Sequence, residues 1–144
     1  MTKGISFTRI WSDDDLIELR IVVANEGSSF SNTVYASQRG LQHLAEELSL
    51  FRDHIHAGVK DIRLGEFGPE YANGAFHARL HFRSPGKLYV STHQQSEFSD
   101  FSVTQVASEA RMFLTSEPVL LDNFLAHFLS LVSGAAENAS LECI

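Results

Sequence analysis

Cysteine is almost missing from this chain. Of 144 residues only Cys143 carries a thiol, so no disulfide can form within it and nothing asks for an oxidising compartment. Cations are scarce as well, 11 Lys and Arg against 18 Asp and Glu. At net charge −7 the chain lacks the broad basic patch that phosphate neutralisation requires, which argues against nucleic acid as a partner. No apolar run approaches the ~20 residues that cross a bilayer, so no membrane partner is expected. The opening MTKGISFTRIW has neither the basic head nor the apolar stretch of a signal peptide, and the expectation is a cytoplasmic protein of bacterial style. With few prolines and no low-complexity tract there is no candidate linker, and the length suits one domain, 1–144.

Catalytic signatures are absent too. There is no G-x-S-x-G nucleophile elbow, and Gly65-Glu66-Phe67-Gly68 lacks the Gly-Lys-Ser/Thr of a phosphate loop. Asp13-Asp14-Asp15 has no EF-hand spacing. The sequence implies no cofactor, and an enzyme is the less favoured class.

What is present is patterning. From Gly74 to Gln94, Phe76, Ala78, Leu80 and Phe82 alternate with His77, Arg79, His81 and Arg83, the period-two signature of a half-buried strand. Ser84-Pro85-Gly86 breaks the run, and Leu88, Val90 and Thr92 restart it. Matching the apolar faces pairs Phe82 with Leu88, Leu80 with Val90 and Ala78 with Thr92; any one-residue slip would turn one apolar set to water. Strands are also expected over Ile5–Trp11, Leu16–Ala24, Phe30–Ala36 and Val59–Phe67. Between Phe101 and Leu114 the alternation slips phase, which predicts one bulged strand or two strands bent near Ala107.

Two segments change to helical spacing. Ser37 is a candidate N-cap for Leu41, Leu44, Ala45, Leu48 and Phe51, with an end near Asp53 to His56. Ser116-Glu117-Pro118 opens a second helix whose stripe is Leu121, Phe124, Leu125, Phe128, Leu129 and Val132, with Gly134 as its stop. This second helix is the expected cover for the hairpin's apolar face. Residues 135–144 either fray or add a short strand. The order βββ-α-ββββ-α with short turns predicts an α+β fold, a mainly antiparallel curved sheet with both helices on one face.

Candidate functional residues lie on the hairpin's polar face. The predicted register sets His77 opposite His93, with Cβ atoms about 5 Å apart, a candidate metal pair if a third ligand joins it. Arg79, Arg83, Lys87 and His81 form a positive stripe with Tyr89 among them, suited to an anionic surface or a small carboxylate. Glu66, Glu70 and Tyr71 flank a Gly-Pro loop and form a second candidate interaction site. His54-x-His56 is a further pair, past a helix end.

Trp11-Ser-Asp-Asp-Asp-Leu-Ile-Glu-Leu-Arg-Ile21, then Phe30, Tyr35 and the Leu41–Leu48 helix, resembles the opening of small uncharacterised bacterial α+β proteins of the immunity type. The closing Thr115-Ser-Glu-Pro118, Leu121, Phe124 and Leu131 is similar in style. That resemblance implies a protein that neutralises a toxin by binding it and carries over no catalytic residue. The leading expectation is therefore a non-enzymatic protein–protein interaction module with a basic protein partner. The alternative is a small-molecule or metal-binding protein using the concave sheet face, with His77, His93 and Arg79 lining the pocket. A homodimer burying the hairpin face is a third reading.

Overall fold

The computed structural model of the chain describes residues 2–54, 58–71, 73–84 and 86–144. Strands β1 (Gly4–Ser12), β2 (Leu16–Ala24) and β3 (Ser29–Ser37) form an antiparallel meander. Their alternating Ile5, Phe7, Ile17, Leu19, Ile21, Val23 and Val34 are all buried on one side. Ser37 then caps helix α1 (Gln38–Arg52) by accepting the Gly40 N–H, and Leu41, Leu44, Ala45, Leu48 and Phe51 form the buried face. β4 (Val59–Leu64) pairs with β5 (Ala75–Ser84), and β5 with β6 (Lys87–Gln95). A small hairpin, β7 (Ser99–Phe101) with β8 (Thr104–Val106), precedes β9 (Glu109–Ser116), which returns along β6. Helix α2 (Pro118–Ser133) follows, and β10 (Asn138–Glu142) pairs with β1.

The α+β class, the antiparallel pairing and the hairpin register Phe82–Leu88, Leu80–Val90, Ala78–Thr92 all match the sequence reading. Other features differ. The main strands divide into two four-stranded sheets, β10-β1-β2-β3 and β4-β5-β6-β9, rather than the one curved sheet the patterning suggests. Alternation dictates which side chains face the core, but it does not say which strand edges meet. The phase slip after Phe101 comes from an extra tight turn: Phe101 pairs with Thr104 around Ser102, which holds φ 56°. Left-handed backbone in a two-residue hairpin loop ordinarily calls for Gly or Asn, so Ser-Val gave no turn signal.

At the second helix Ser116 is not the cap. It belongs to β9, and its hydroxyl donates to the Glu142 carbonyl (2.6 Å), while Glu117 takes the N-cap position. On α2 the expected Leu121, Phe124, Leu125, Phe128 and Val132 are buried, but Leu129 is about half exposed (49%) and Leu131 takes its place in the stripe. The tail does not fray, since Leu141 is buried in β10. Helix α1 ends at Arg52 with Asp53 as its C-cap, at the near limit of the expected Asp53 to His56, while His56 itself and the turn residue Pro85 lie outside the described residues.

Both sheets turn their apolar faces to one core, which the helices complete. Phe7 meets Phe76 edge-on at a centroid separation of 5.6 Å and lies 5.7 and 5.9 Å from Phe124 and Phe128 of α2. Phe51 of α1 stacks on Phe82 at 5.0 Å. The hairpin's apolar face is thus shared between α1 and β1 rather than covered by α2 alone. Among the described residues no helix is long and apolar enough to cross a membrane. The C-terminal carbonyls of α2 receive the Arg9 guanidinium, which bonds Leu131 and Val132, and the Gln38 side-chain amide, which bonds Val132. A cation there complements the negative end of the helix dipole.

The two sheets are joined by a buried polar seam. Asn32 of β3 donates through Nδ2 to the carbonyls of Ala75 (2.9 Å) and Gln95 (3.0 Å), the paired end residues of β5 and β6. Gln94, fully buried, donates to the Asn32 Oδ1 (2.9 Å) and the Ile21 carbonyl (3.1 Å). Beside them Gly74 lies so close to β3 that an added Cβ would stand 2.4 Å from the Thr33 carbonyl oxygen; only glycine permits that approach. Removing the Asn32 amide strands two buried carbonyls, each worth about 1–3 kcal/mol. Asn32→Ala is therefore expected to lower the unfolding free energy by about 3 kcal/mol in urea denaturation, whereas Ser31→Ala, exposed one residue earlier, should change it by no more than about 0.5 kcal/mol. Equal effects from the two substitutions would contradict the seam.

Candidate functional site

The outer face of the second sheet carries the charged residues of the hairpin. Its cross-strand rows are Arg63–His77–His93–Arg111, then Asp61–Arg79–Ser91–Phe113, then Val59–His81–Tyr89–Thr115. His77 and His93 are opposite one another, as their strand register predicts, yet each ring is held by its own carboxylate. His77 Nε2 lies 2.8 Å from Asp61 Oδ1, and His93 Nε2 lies 2.7 Å from Glu109 Oε1. Phe67 stacks flat on His93, centroids 4.4 Å apart and planes 9° from parallel. A metal ion between the imidazoles would have to displace both carboxylates from Nε2 or use Nδ1. Among the described residues no three His, Cys, Asp or Glu side chains converge as ligands.

Asp61 is the electrostatic hub of this face. Arg79 donates to both of its oxygens (2.9 and 3.2 Å), His77 adds a third contact, and Arg63 stands 3.9 Å away. The Arg79 hydrogen bonds, ahead of a smaller opposing effect of burial, hold the Asp61 carboxyl at about 2, below its ordinary 3.8. The positive stripe is thereby neutralised at its centre. Arg83 and Lys87 are exposed and, among the described residues, in no ion pair. Arg79, His81 and Tyr89, with Ser91, Phe113 and Thr115, surround a shallow hollow of about 270 Å³.

The Gly-Pro loop folds over the top of this sheet. Gly65 turns the chain out of β4 at φ 74°, the Gly68 N–H donates to the Gln95 side-chain oxygen (3.0 Å), and Phe67 covers His93. Of the loop's candidate residues, Glu66 and Tyr71 line a pocket of about 200 Å³ together with Tyr35 of β3. Glu70 is exposed and folds its carboxylate back toward Gly68. Tyr35 and Gly65 also border an adjoining cleft of about 370 Å³ that reaches Glu47 of α1 and Arg63 of β4. His54 is exposed, and its expected companion His56 lies outside the described residues.

Tyr35 sits where the two sheets meet, and it and Trp11 are members of this surface that the candidate sites read from the sequence did not include. Trp11 packs edge-on against it at 6.4 Å. Glu18 stands between the two in strand register. Partial burial, and then the negative charges of Glu18 and Glu97, push the Tyr35 hydroxyl above its ordinary value. Trp11, Tyr35 and Tyr71 are 47%, 37% and 43% exposed, so three aromatic rings reach solvent in an acidic neighbourhood. The available signal was Tyr35 falling in phase with the polar Ser31 and Thr33 rather than with Val34.

Cys143 is not poised for chemistry: burial pushes its thiol up to about 11, leaving it protonated at neutral pH. No family model matches the chain, and neither a curated protein nor a solved structure is significantly similar to it.

Because the folded-state value of Asp61 lies below the unfolded one, its ionised form favours the fold. That contribution is complete above about pH 4 and is lost as pH falls from 3.8 toward about 2. Carboxyl-carbon NMR is expected to show Asp61 titrating near pH 2 in wild type and nearer its ordinary value in Arg79→Ala. A wild-type midpoint near 4 would contradict the arrangement.

Proposed function

We propose that this chain is a non-enzymatic protein-binding module that neutralises a basic protein, in the manner of an immunity protein, by docking it on the acidic aromatic surface centred on Tyr35. The observation that carries the reading is the grouping of Trp11, Tyr35 and Tyr71 as exposed rings beside Glu18, Glu66 and Glu97. Trp and Tyr supply most of the affinity at protein interfaces because they bury large rigid area at small entropic cost. A chain of net charge −7 adds long-range attraction for a cationic partner. The hairpin's own polar face is the less favoured surface, because its central cation is already matched by Asp61. The hollow at Arg79, His81 and Tyr89 supports a second reading, a small anionic ligand, which inorganic phosphate or acetate titration would detect there.

The test compares wild type with Trp11→Ala/Tyr35→Ala, both immobilised and exposed to extract from the source cells at about 50 and about 500 mM salt, between which the screening length falls about threefold. The expected result is one basic protein retained by wild type at low salt, released at high salt, and bound at least about thirtyfold more weakly by the double variant. Equal retention by the variant, or a partner that is acidic, would overturn the reading.

A further inference from the structure

The pocket beside Tyr35 is more specific than a sticky patch, and it deepens the binding reading on which it rests. We propose that the pocket bordered by Tyr35, Tyr71, Glu66, Asn73 and the Gly65 and Gly74 backbone is a receptor for one arginine side chain of the partner.

Size is the first argument. At about 200 Å³ the pocket is smaller than the clefts that hold whole small molecules, and it suits a single long side chain. Its floor is the second. A Cβ on Gly65 would meet the Gly74 carbonyl oxygen at 2.3 Å, and one on Gly74 would meet Thr33 O at 2.4 Å, so both positions must stay free of side chains. At these two positions the floor is therefore bare backbone, and the remaining lining side chain, Asn73, is a neutral amide that can accept as well as donate. The walls are the third: two tyrosine side chains border the space and offer aromatic surface to a flat cation, and the Glu66 carboxylate beside them can accept paired N–H donors.

The charge balance favours a cation. Among the described residues, Glu66, Glu18 and Glu97 have no Lys or Arg partner within 4.0 Å, in contrast to Asp61 and Glu47 on the neighbouring surfaces. The opposing groups are Arg63, in the adjoining cleft and turned toward Asp61, and Arg20, one strand row away from Glu18. Neither lines the pocket. Planarity and paired donors select guanidinium over ammonium, since a lysine head gains less from two ring faces and makes no fork with Glu66.

The probe is the peptide acetyl-Gly-Arg-Gly-amide, with lysine and citrulline versions, the last being a neutral isostere. Backbone amide NMR should show saturable shifts at Tyr35, Gly65, Glu66 and Gly74 for the arginine peptide, at least about fivefold weaker binding for lysine, and none for citrulline. Glu66→Gln and Tyr71→Ala should each weaken arginine binding by about tenfold, with spectra otherwise preserved because both residues are exposed, while Tyr71→Phe should retain it. Shifts confined to Asp13–Asp15, a citrulline peptide binding as well as arginine, or Tyr71→Phe losing as much as Tyr71→Ala would overturn the proposal. The two readings fail separately: a basic partner that binds Glu66→Gln and wild type alike, but not Trp11→Ala, removes the arginine pocket and leaves the binding module standing.

Discussion

Everything in this structure depends on a few hydrogen bonds between side-chain amides and main-chain carbonyls where two sheets meet. Asn32 and Gln94 are, with Thr92, Gln95 and Ser116, the buried polar residues among the described ones, in a core otherwise made of Phe, Leu, Ile, Val, Ala and Met. The Asn32 and Gln94 amide nitrogens are engaged by main-chain and side-chain oxygens, and bonds of this kind specify a single alignment, although among the described residues the Gln94 Oε1 itself has no partner. The two hydrogens of the Gln94 amide are shared among the carbonyls of Ile21 and Phe30 and the Asn32 oxygen, so rotating that amide would set its oxygen against three acceptors. The orientation is thereby dictated by its surroundings. Apolar packing of Phe7 on Phe76 brings the sheets together, but rings tolerate sliding; the amides do not.

The same seam builds the candidate site. Gln95 presents its carbonyl to Asn32 and its side chain to the Gly68 N–H, so the residue that closes the sheets also pins the loop carrying Glu66 and Tyr71. Gly74 ends that loop against Thr33, two residues before Tyr35 on the same strand. Fold and pocket therefore share their supports. A surface built on strands and a loop tied at Gly65, Phe67, Gly68 and Gly74 is pre-organised, which lowers the ordering cost of binding.

Much of the local structure was legible in the sequence, and the reasons are local. Phe76, Ala78, Leu80 and Phe82 alternate without a fault, so strand, face and register followed together. Ser37 and the spacing of Leu41 to Phe51 marked α1 for the same reason. Non-local features were hidden. Two sheets and one sheet share the same alternation, and β7–β8 is too short and too exposed to carry any. At the site, the opposition of His77 and His93 could be read, but Asp61 and Glu109 could not, because they arrive on flanking strands whose order is not written in their own residues. Glu66 and Tyr71 were visible as loop residues. Tyr35 and Trp11 were not, since an aromatic on a strand ordinarily signals a buried position.

The central claim is that the seam makes the two sheets one cooperative body. Native-state amide hydrogen exchange measures this directly. The account predicts that Ile21 and Val23 in the first sheet and Leu80 and Val90 in the second exchange only through a common global opening, with the same free energy and the same dependence on denaturant. If the first sheet opened at distinctly lower free energy while the second stayed protected, the sheets would be separate units and the site between them would have no fixed form.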